Sequence, residues 1–342
     1  NHYNQAYLLQ LIMKKEIMRI PLLTVFVLMA SFAFAQEPTK PTEGQQRGVR
    51  QRPTSKPQEA DCSTDLEYQE KADLVVYRKT GDPFSGLCRT YYEDNRLERE
   101  ITFVDGKEDG ISTTYYKRVE KDPKDAKDPK PGQIMVITEH KLGVPEGTWK
   151  YYFENGKLAW SNTYLNGKKE GQWEFFYENG TPKKEENWKD DKKNGVFIDY
   201  FPSGKKKVEI NYKDNKMHGA YKQYFENESV FIERNYIEGK EDGEEISYHK
   251  NGQVASIRRY KLGQPEGTWR TYFDDGKEKS VETYIKGKKS GEHKEFHREG
   301  QLKKRSVYVE GKLTLMEEFD EFGNKIDREA EKKRQEEEMR EE

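Results

Sequence analysis

Residues 147–170 read GTWKYYFENGKLAWSNTYLNGKKE, and the fold turns on how that stretch is punctuated. A short aromatic run meets Asn155-Gly156. A polar run comes next and ends on Tyr164, and a second Asn-Gly pair, Asn166-Gly167, stands just before Gly171. Asn-Gly between short runs signals a hairpin, because it supplies the positive φ angles that a tight β-turn needs. Two turn signals in 24 residues leave segments too short for helix. The stretch predicts one β-hairpin and a turn leading out of it.

That turn leads into another copy. Gly147, Gly171, Gly195, Gly219, Gly243, Gly267 and Gly291 stand at a strict interval of 24, and Gly86 and Gly110 lie one interval apart upstream. Between Gly110 and Gly147 the interval is 37, one period plus thirteen residues. The excess falls in KRVEKDPKDAKDPKPG (117–132), a Lys/Asp/Pro loop that can bury nothing. The phrases KLGVPEGTWKYYFENG (141–156) and KLGQPEGTWRTYFDDG (261–276) are five periods apart. Self-similarity of this kind marks a repeat architecture. Asn179-Gly180, Ser203-Gly204, Asn251-Gly252, Asp275-Gly276 and Glu299-Gly300 repeat the first turn, and the framing glycines read as turn residues too.

Two positions in the module are aromatic almost throughout. Five residues after each framing glycine stand Tyr91, Tyr115, Tyr152, Phe176, Tyr200, Tyr224, Tyr248, Tyr272 and Phe296. Seventeen after it stand Phe103, Tyr164, Trp188, Tyr212, Tyr236, Tyr260, Tyr284 and Tyr308, with His140 in the inserted module. A looser position, two after the glycine, holds Trp149, Trp173, Phe197, Tyr221 and Trp269, but Cys88, Ser112, Glu245 and His293 elsewhere. Hairpins laid side by side would bring equivalent rings into rows. With strands ~4.8 Å apart, a module advances about 10 Å and nine modules about 90 Å. The expected fold is all-β: an elongated single-layer antiparallel sheet of tandem 24-residue β-hairpins, stabilised module by module. Alternation along the strand puts the ring at position five opposite the one at position two. One layer cannot cover both faces, so one aromatic row should stay partly exposed, and exposed apolar rows tend to be contact sites.

The composition fits a thin structure. Only 32% of residues are hydrophobic and 36% are charged, yet 13% are aromatic, with 22 Tyr and 16 Phe. Disorder does not explain so many rings. A net charge of −2 with both signs interspersed provides no field for nucleic acid or anionic lipid, so neither is an expected partner. Residues 1–35 read as an upstream extension plus a secretory signal. MKKEIMRIPLLTVFVLMASFAFAQ (13–36) has a basic start, an apolar run and an Ala33-Phe34-Ala35 site before Gln36. An exported protein is expected. Residues 36–61, rich in Pro and Gln, read as a flexible tether, residues 62–325 as the array, and residues 326–342 as a charged, solvated tail. Cys62 and Cys88 are a candidate disulfide stapling the N-terminal end, a pairing that spacing alone leaves open.

The phrases GTWKYYFENGKLAWSNTYLNGKKEG and YKDNKMHGAYKQYFENE resemble the MORN-repeat variant family, whose modules run G-x-W-x-x-Y-Y-x-N-G, then a Tyr, then N-G-K-x-x-G. The resemblance covers about residues 80 to 323. The departures are Glu228 at a turn glycine, Glu245 at a Trp, and the inserted loop. It implies a hairpin array used for binding or scaffolding. Bacterial members often carry the label of antitoxin component of toxin–antitoxin systems, which the motif alone does not justify.

Little else points to chemistry. His293 and His297, four apart in EHKEFH, lie on a predicted strand and lack a third ligand, so they read as substitutes for aromatics and no metal is expected. No Ser or Cys nucleophile has a motif around it, and no phosphate loop precedes a helix, so neither enzyme activity nor a cofactor is expected. The candidate binding residues are the nine rings at position five. The expected partner is a protein segment lying along them; an antitoxin or immunity role and a cell-surface glycan are the alternatives.

Overall fold

The computed structural model describes residues 58–117, 132–328 and 339. The expected signal sequence, most of the tether, residues 118–131 of the insertion and most of the charged tail lie outside the described residues.

From Gly86 onward the chain is one long open sheet of hairpins. In the module at Gly147, strand Val144–Tyr152 pairs antiparallel with Leu158–Leu165, placing Gly147 opposite Tyr164 and Tyr152 opposite Leu158. Strand Lys168–Phe176 then pairs with Leu165 opposite Lys168. The same step repeats, each strand bonded to its neighbours in sequence, until Lys312–Glu318 closes the series.

The two turns of a module are different, and the difference corrects the expectation for the first one. Between Tyr152 and Leu158 only Gly156 has a positive φ, 86°. The Gly156 N–H bonds to the Phe153 carbonyl, and the Phe153 N–H to the Lys157 carbonyl. Asn155 contributes its side chain, whose Oδ1 accepts the Lys157 N–H at 3.0 Å. This is a longer loop with one left-handed residue, which Asn95 and Glu228 also adopt (φ 61° and 70°). The tight two-residue turn is the second one, where Asn166 (φ 50°) and Gly167 (φ 79°) are both left-handed between the paired Leu165 and Lys168.

The framing glycines are not turn residues. At Gly195 (φ 107°) the strand divides into Lys192–Lys193 and Gly195–Tyr200. The pairing slips there, from Trp188 opposite Lys193 to Glu185 opposite Ile198. The glycine marks a bulge inside the strand, which requires a positive φ that a side chain would resist.

The N-terminal end is thicker than one layer. β1 (Glu59–Asp61), expected to belong to the tether, pairs parallel with β4 (Gly86–Tyr91). β2 (Leu66–Gln69) and β3 (Leu74–Tyr77) form a separate two-stranded sheet. Leu66, Phe84, Cys88, Ile101 and Phe103 cluster as a buried core, with Phe84 fully enclosed. Residues 62–85 are thus a cap on the array and not part of its repeats. Cys62 and Cys88 form a disulfide with Cα atoms 5.4 Å apart. At the other end Leu313, Leu315 and Met316 of the last strand are exposed.

Candidate functional site: two aromatic faces and a stapled edge

One face of the sheet is a packed line of rings from positions two and seventeen. His140, Trp149, Tyr164, Trp173, Trp188, Phe197 and Tyr212 succeed one another with centroids 4.8–5.8 Å apart. Tyr260, Trp269, Tyr284, His293 and Tyr308 form a second line at 4.4–5.9 Å. The indole N–H groups point back one strand. Trp149 donates to the Glu139 carbonyl, Trp173 to Thr163 and Trp269 to Arg259, at 2.9–3.0 Å. Lysines cover part of the line: Lys169 Nζ lies 4.4 and 4.2 Å from the Trp173 and Trp188 ring centres, and burial there lowers its pKa. Burial likewise pushes the Tyr164 phenol up to about 12. The rings of this face pack on one another, with Trp173, Phe197 and His293 buried and most of the others half-buried.

The line breaks at Glu245, which stands where other modules carry Trp. It is buried, and it pairs with Arg234 (3.3 Å) and Arg258 (3.4 Å). Arg234 also pairs with Glu241 and lies over the Tyr221 ring. A buried charge needs partners of this kind.

The opposite face carries the nine candidate binding residues. Tyr91 is exposed, and Tyr115, Tyr152, Phe176, Tyr200, Tyr224, Tyr248, Tyr272 and Phe296 are half-buried. Beside each ring lies position fourteen of the preceding module. At three places that residue is a Glu to which the phenol donates: Tyr115 to Glu100 (3.2 Å), Tyr200 to Glu185 (2.6 Å) and Tyr248 to Glu233 (2.8 Å); Glu209, the equivalent residue beside Tyr224, instead bonds to Lys206 (2.9 Å). Burial first, and then these carboxylates, hold the three phenols above their ordinary pKa. Phe176 and Phe296 instead come after Ser161 and Val281, which ask for no donor.

A third aromatic series runs along the edge formed by the first turns, at position six. Tyr92 donates to the Tyr115 carbonyl (2.6 Å), Tyr116 to Tyr152 (2.7 Å) and Tyr177 to Tyr200 (3.1 Å). His249 and His297 put Nε2 3.0 Å from the carbonyls of Tyr272 and Phe319. Each bond staples one module to the next. The signal is in the sequence, since all nine modules carry Tyr, Phe or His there, but an adjacent ring at position five masks it. The far edge is stapled as well: the backbone N–H groups of Asn166, Asp190 and Lys286 donate to Glu146, Glu170 and Glu266, at 2.7–3.0 Å.

His293 and His297 do not share a site. His293 Nε2 is 3.0 Å from the Thr283 carbonyl, the position equivalent to the one that Trp173 and Trp269 address, and His297 serves the turn edge. Among the described residues no group of three or more His, Cys, Asp or Glu is placed to hold a metal ion. No helix among them is long and apolar enough to cross a membrane.

Fold and faces define a protein of tandem β-hairpin repeats whose modules are interlocked along both edges. The MORN repeat variant matches residues 145–166, 169–190, 193–214, 217–238, 241–262 and 289–310, and the chain is a MORN-repeat protein of that variant type. The hairpin at Gly267 lies outside those matches yet has the same pairing, Gly267 opposite Tyr284. No curated protein matches the chain. Among solved structures, a chain of the TcdB2-TccC3-Cdc42 crystal structure is 13% identical, with 69% of this chain and 15% of that one covered and a TM-score of 0.18. A chain of the Photorhabdus luminescens Tc holotoxin pore with a TccC3 substitution is 11% identical, covering 76% and 16%, with a TM-score of 0.13. The present chain spans about one-seventh of those proteins, and a likeness this slight carries no argument about function.

Proposed function

We propose that this protein is an exported, non-enzymatic scaffold that binds an extended protein segment along the face bearing Tyr152, Tyr200, Tyr224 and Tyr248. One observation carries the reading: the rings at position five stand half-exposed and in register without the ring-on-ring lines of the other face, whose rings, mostly half-buried as well, pack on one another and in part under lysine. A row of wide amphipathic side chains buries much area on contact and loses little side-chain entropy, the property that makes Tyr common in binding surfaces. The Glu185 and Glu233 carboxylates fix two of these phenols in place before a partner arrives, which lowers the cost of association. Export is supported by the signal-like stretch at 13–36 and by the Cys62–Cys88 disulfide, a bond that persists in oxidising compartments. The test is capture from an envelope extract. Changing Tyr152, Tyr200, Tyr224 and Tyr248 to Ala together should abolish it while the β-sheet circular-dichroism signal is kept. Undiminished capture by that variant would refute the reading.

A further inference from the structure

Past its ninth hairpin the chain begins a tenth and does not finish it. Tyr308 lies opposite Leu313 as Tyr284 lies opposite Lys289. Arg305 then lies opposite Glu317, whereas Val281 lies opposite Lys294, so the last strand has one residue fewer where the framing glycine belongs. Met316 thereby takes the place of the ring at position two, and Phe319 that of the ring at position five. The turn that follows is complete. His297 Nε2 is 3.0 Å from the Phe319 carbonyl, as His249 Nε2 is from that of Tyr272. Phe319 pairs with Lys325 as Phe296 does with Leu302, and the N–H of the left-handed Gly323 bonds to the Asp320 carbonyl. The returning strand then stops. The Ile326 N–H reaches the Glu318 carbonyl, and Lys325 and Arg328 touch Glu317 and Glu318 by side chain alone. Among the described residues nothing else pairs with the outer side of Lys312–Glu318. Met316, two residues from Glu318, turns its N–H and C=O to the same open side. Leu313, Leu315 and Met316 are 49, 39 and 51% exposed, whereas Trp173, Phe197 and His293, in Met316's place on covered strands, are buried.

We infer that this edge accepts an extended segment of another protein, which pairs antiparallel with the last strand and sets an aromatic side chain against Met316. The nine complete hairpins show what covers such a strand. In each, a returning strand places its ring at position seventeen opposite the framing glycine, as Tyr308 stands opposite Gly291. That ring packs beside the one at position two, so that Trp173 lies between Tyr164 and Trp188, and Trp269 between Tyr260 and Tyr284. Met316 has the strand of Tyr308 on one side and no such strand on the other. A ring arriving there meets a thioether, a favourable contact, and the open backbone groups bond to the added strand. The chain's own continuation lacks that ring, because counting on from Lys325 puts Glu331 at position seventeen. A second copy lacks it as well. Its first edge is closed by β1 and the Cys62–Cys88 disulfide, and its free strand, KLTLMEE (312–318), contains no aromatic residue. The surface is the end of the sheet and not the Tyr face, so the inference stands independently of the reading above.

The probe is acetyl-Lys-Arg-Ser-Val-Tyr-Val-amide, the sequence of residues 304–309, whose tyrosine comes from position seventeen. It is titrated into the full-length protein, with amide chemical shifts and hydrogen exchange as readouts. Binding should shift the amides of residues 313–317 and slow exchange at Met316. Met316→Lys puts a charge on an exposed edge position and should leave the melting temperature unchanged. That variant, and a peptide with Ala for Tyr, should each weaken binding about tenfold or more. No binding at millimolar peptide, equal affinity for the Ala peptide, or equal affinity for the variant would each overturn the inference. Two further results would overturn it by assigning the edge elsewhere. A dimer in sedimentation that Met316→Lys dissolves would give it to a second copy. A Met316 amide already slow in the free protein, and quickened by removal of residues 329–342, would give it to the chain's own tail.

Discussion

Glu228 sits at a φ of 70° where six other modules place glycine. A side chain in that left-handed region costs about 1–2 kcal/mol, part of which glycine would give back through its freer unfolded state. Its ion pair with Lys205, 3.8 Å long and solvent-exposed, offsets little of this. Glu228→Gly should therefore raise the unfolding free energy by about 0.5–1 kcal/mol in urea titration. A loss of stability would show that the turn is held by something other than its backbone. Asp191 and Asn215 illustrate the compensated case. Both are left-handed without being glycine, and each accepts a backbone N–H of the preceding module, from Lys169 and Lys193 respectively, at 2.8 Å.

At the scale of the hairpin, Trp173 concentrates what holds neighbouring modules together. It is buried, touches Tyr164 and Trp188, and donates to the Thr163 carbonyl. Trp173→Ala should cost about 3–5 kcal/mol, and hydrogen exchange should quicken in the hairpins on either side of it more than at the array's ends. The sequence exposes these hairpins because glycine, turn and ring recur together, and alternation correctly separates position five from position two. It does not reveal which Asn-Gly makes the tight turn, because the dipeptide is the same at 155–156 and 166–167. Loop length depends on where pairing resumes, Leu158 in one case and Lys168 in the other, and that register is a property of the whole sheet. The bulge at each framing glycine escapes for the same reason. The N-terminal cap escapes because Leu66, Val76 and Phe84 belong to no repeat and meet only in three dimensions.

Across the sheet, tyrosine makes stability sensitive to alkali. Tyr164 and Tyr236 are pushed up to about 12, chiefly by burial, and Tyr115, Tyr200 and Tyr248 are raised too. A phenol whose folded pKa exceeds its unfolded value near 10 contributes fully below that value and ceases to contribute as pH climbs through the folded one. The melting temperature should hold up to about pH 9.5 and fall steadily above it, and absorbance at 295 nm should show a late-titrating class of tyrosines. A flat melting profile to pH 12 would contradict this. Reduction acts elsewhere. Cys62 and Cys88 are 26 residues apart, so opening the disulfide should remove about 3 kcal/mol, and exchange should show the loss in residues 59–104 with the later hairpins unchanged. The staples described along both edges reach one module forward and no further: Tyr177 stops at Tyr200, and the Glu170 carboxylate at Asp190. Excision of residues 171–194 would therefore leave Glu170 joined to a glycine framing an equivalent hairpin, with the same kinds of bond ready on both sides of the seam. A gene built this way can gain or shed 72-nucleotide units by recombination and still encode a foldable chain, so selection can set the length of the sheet by copy number alone.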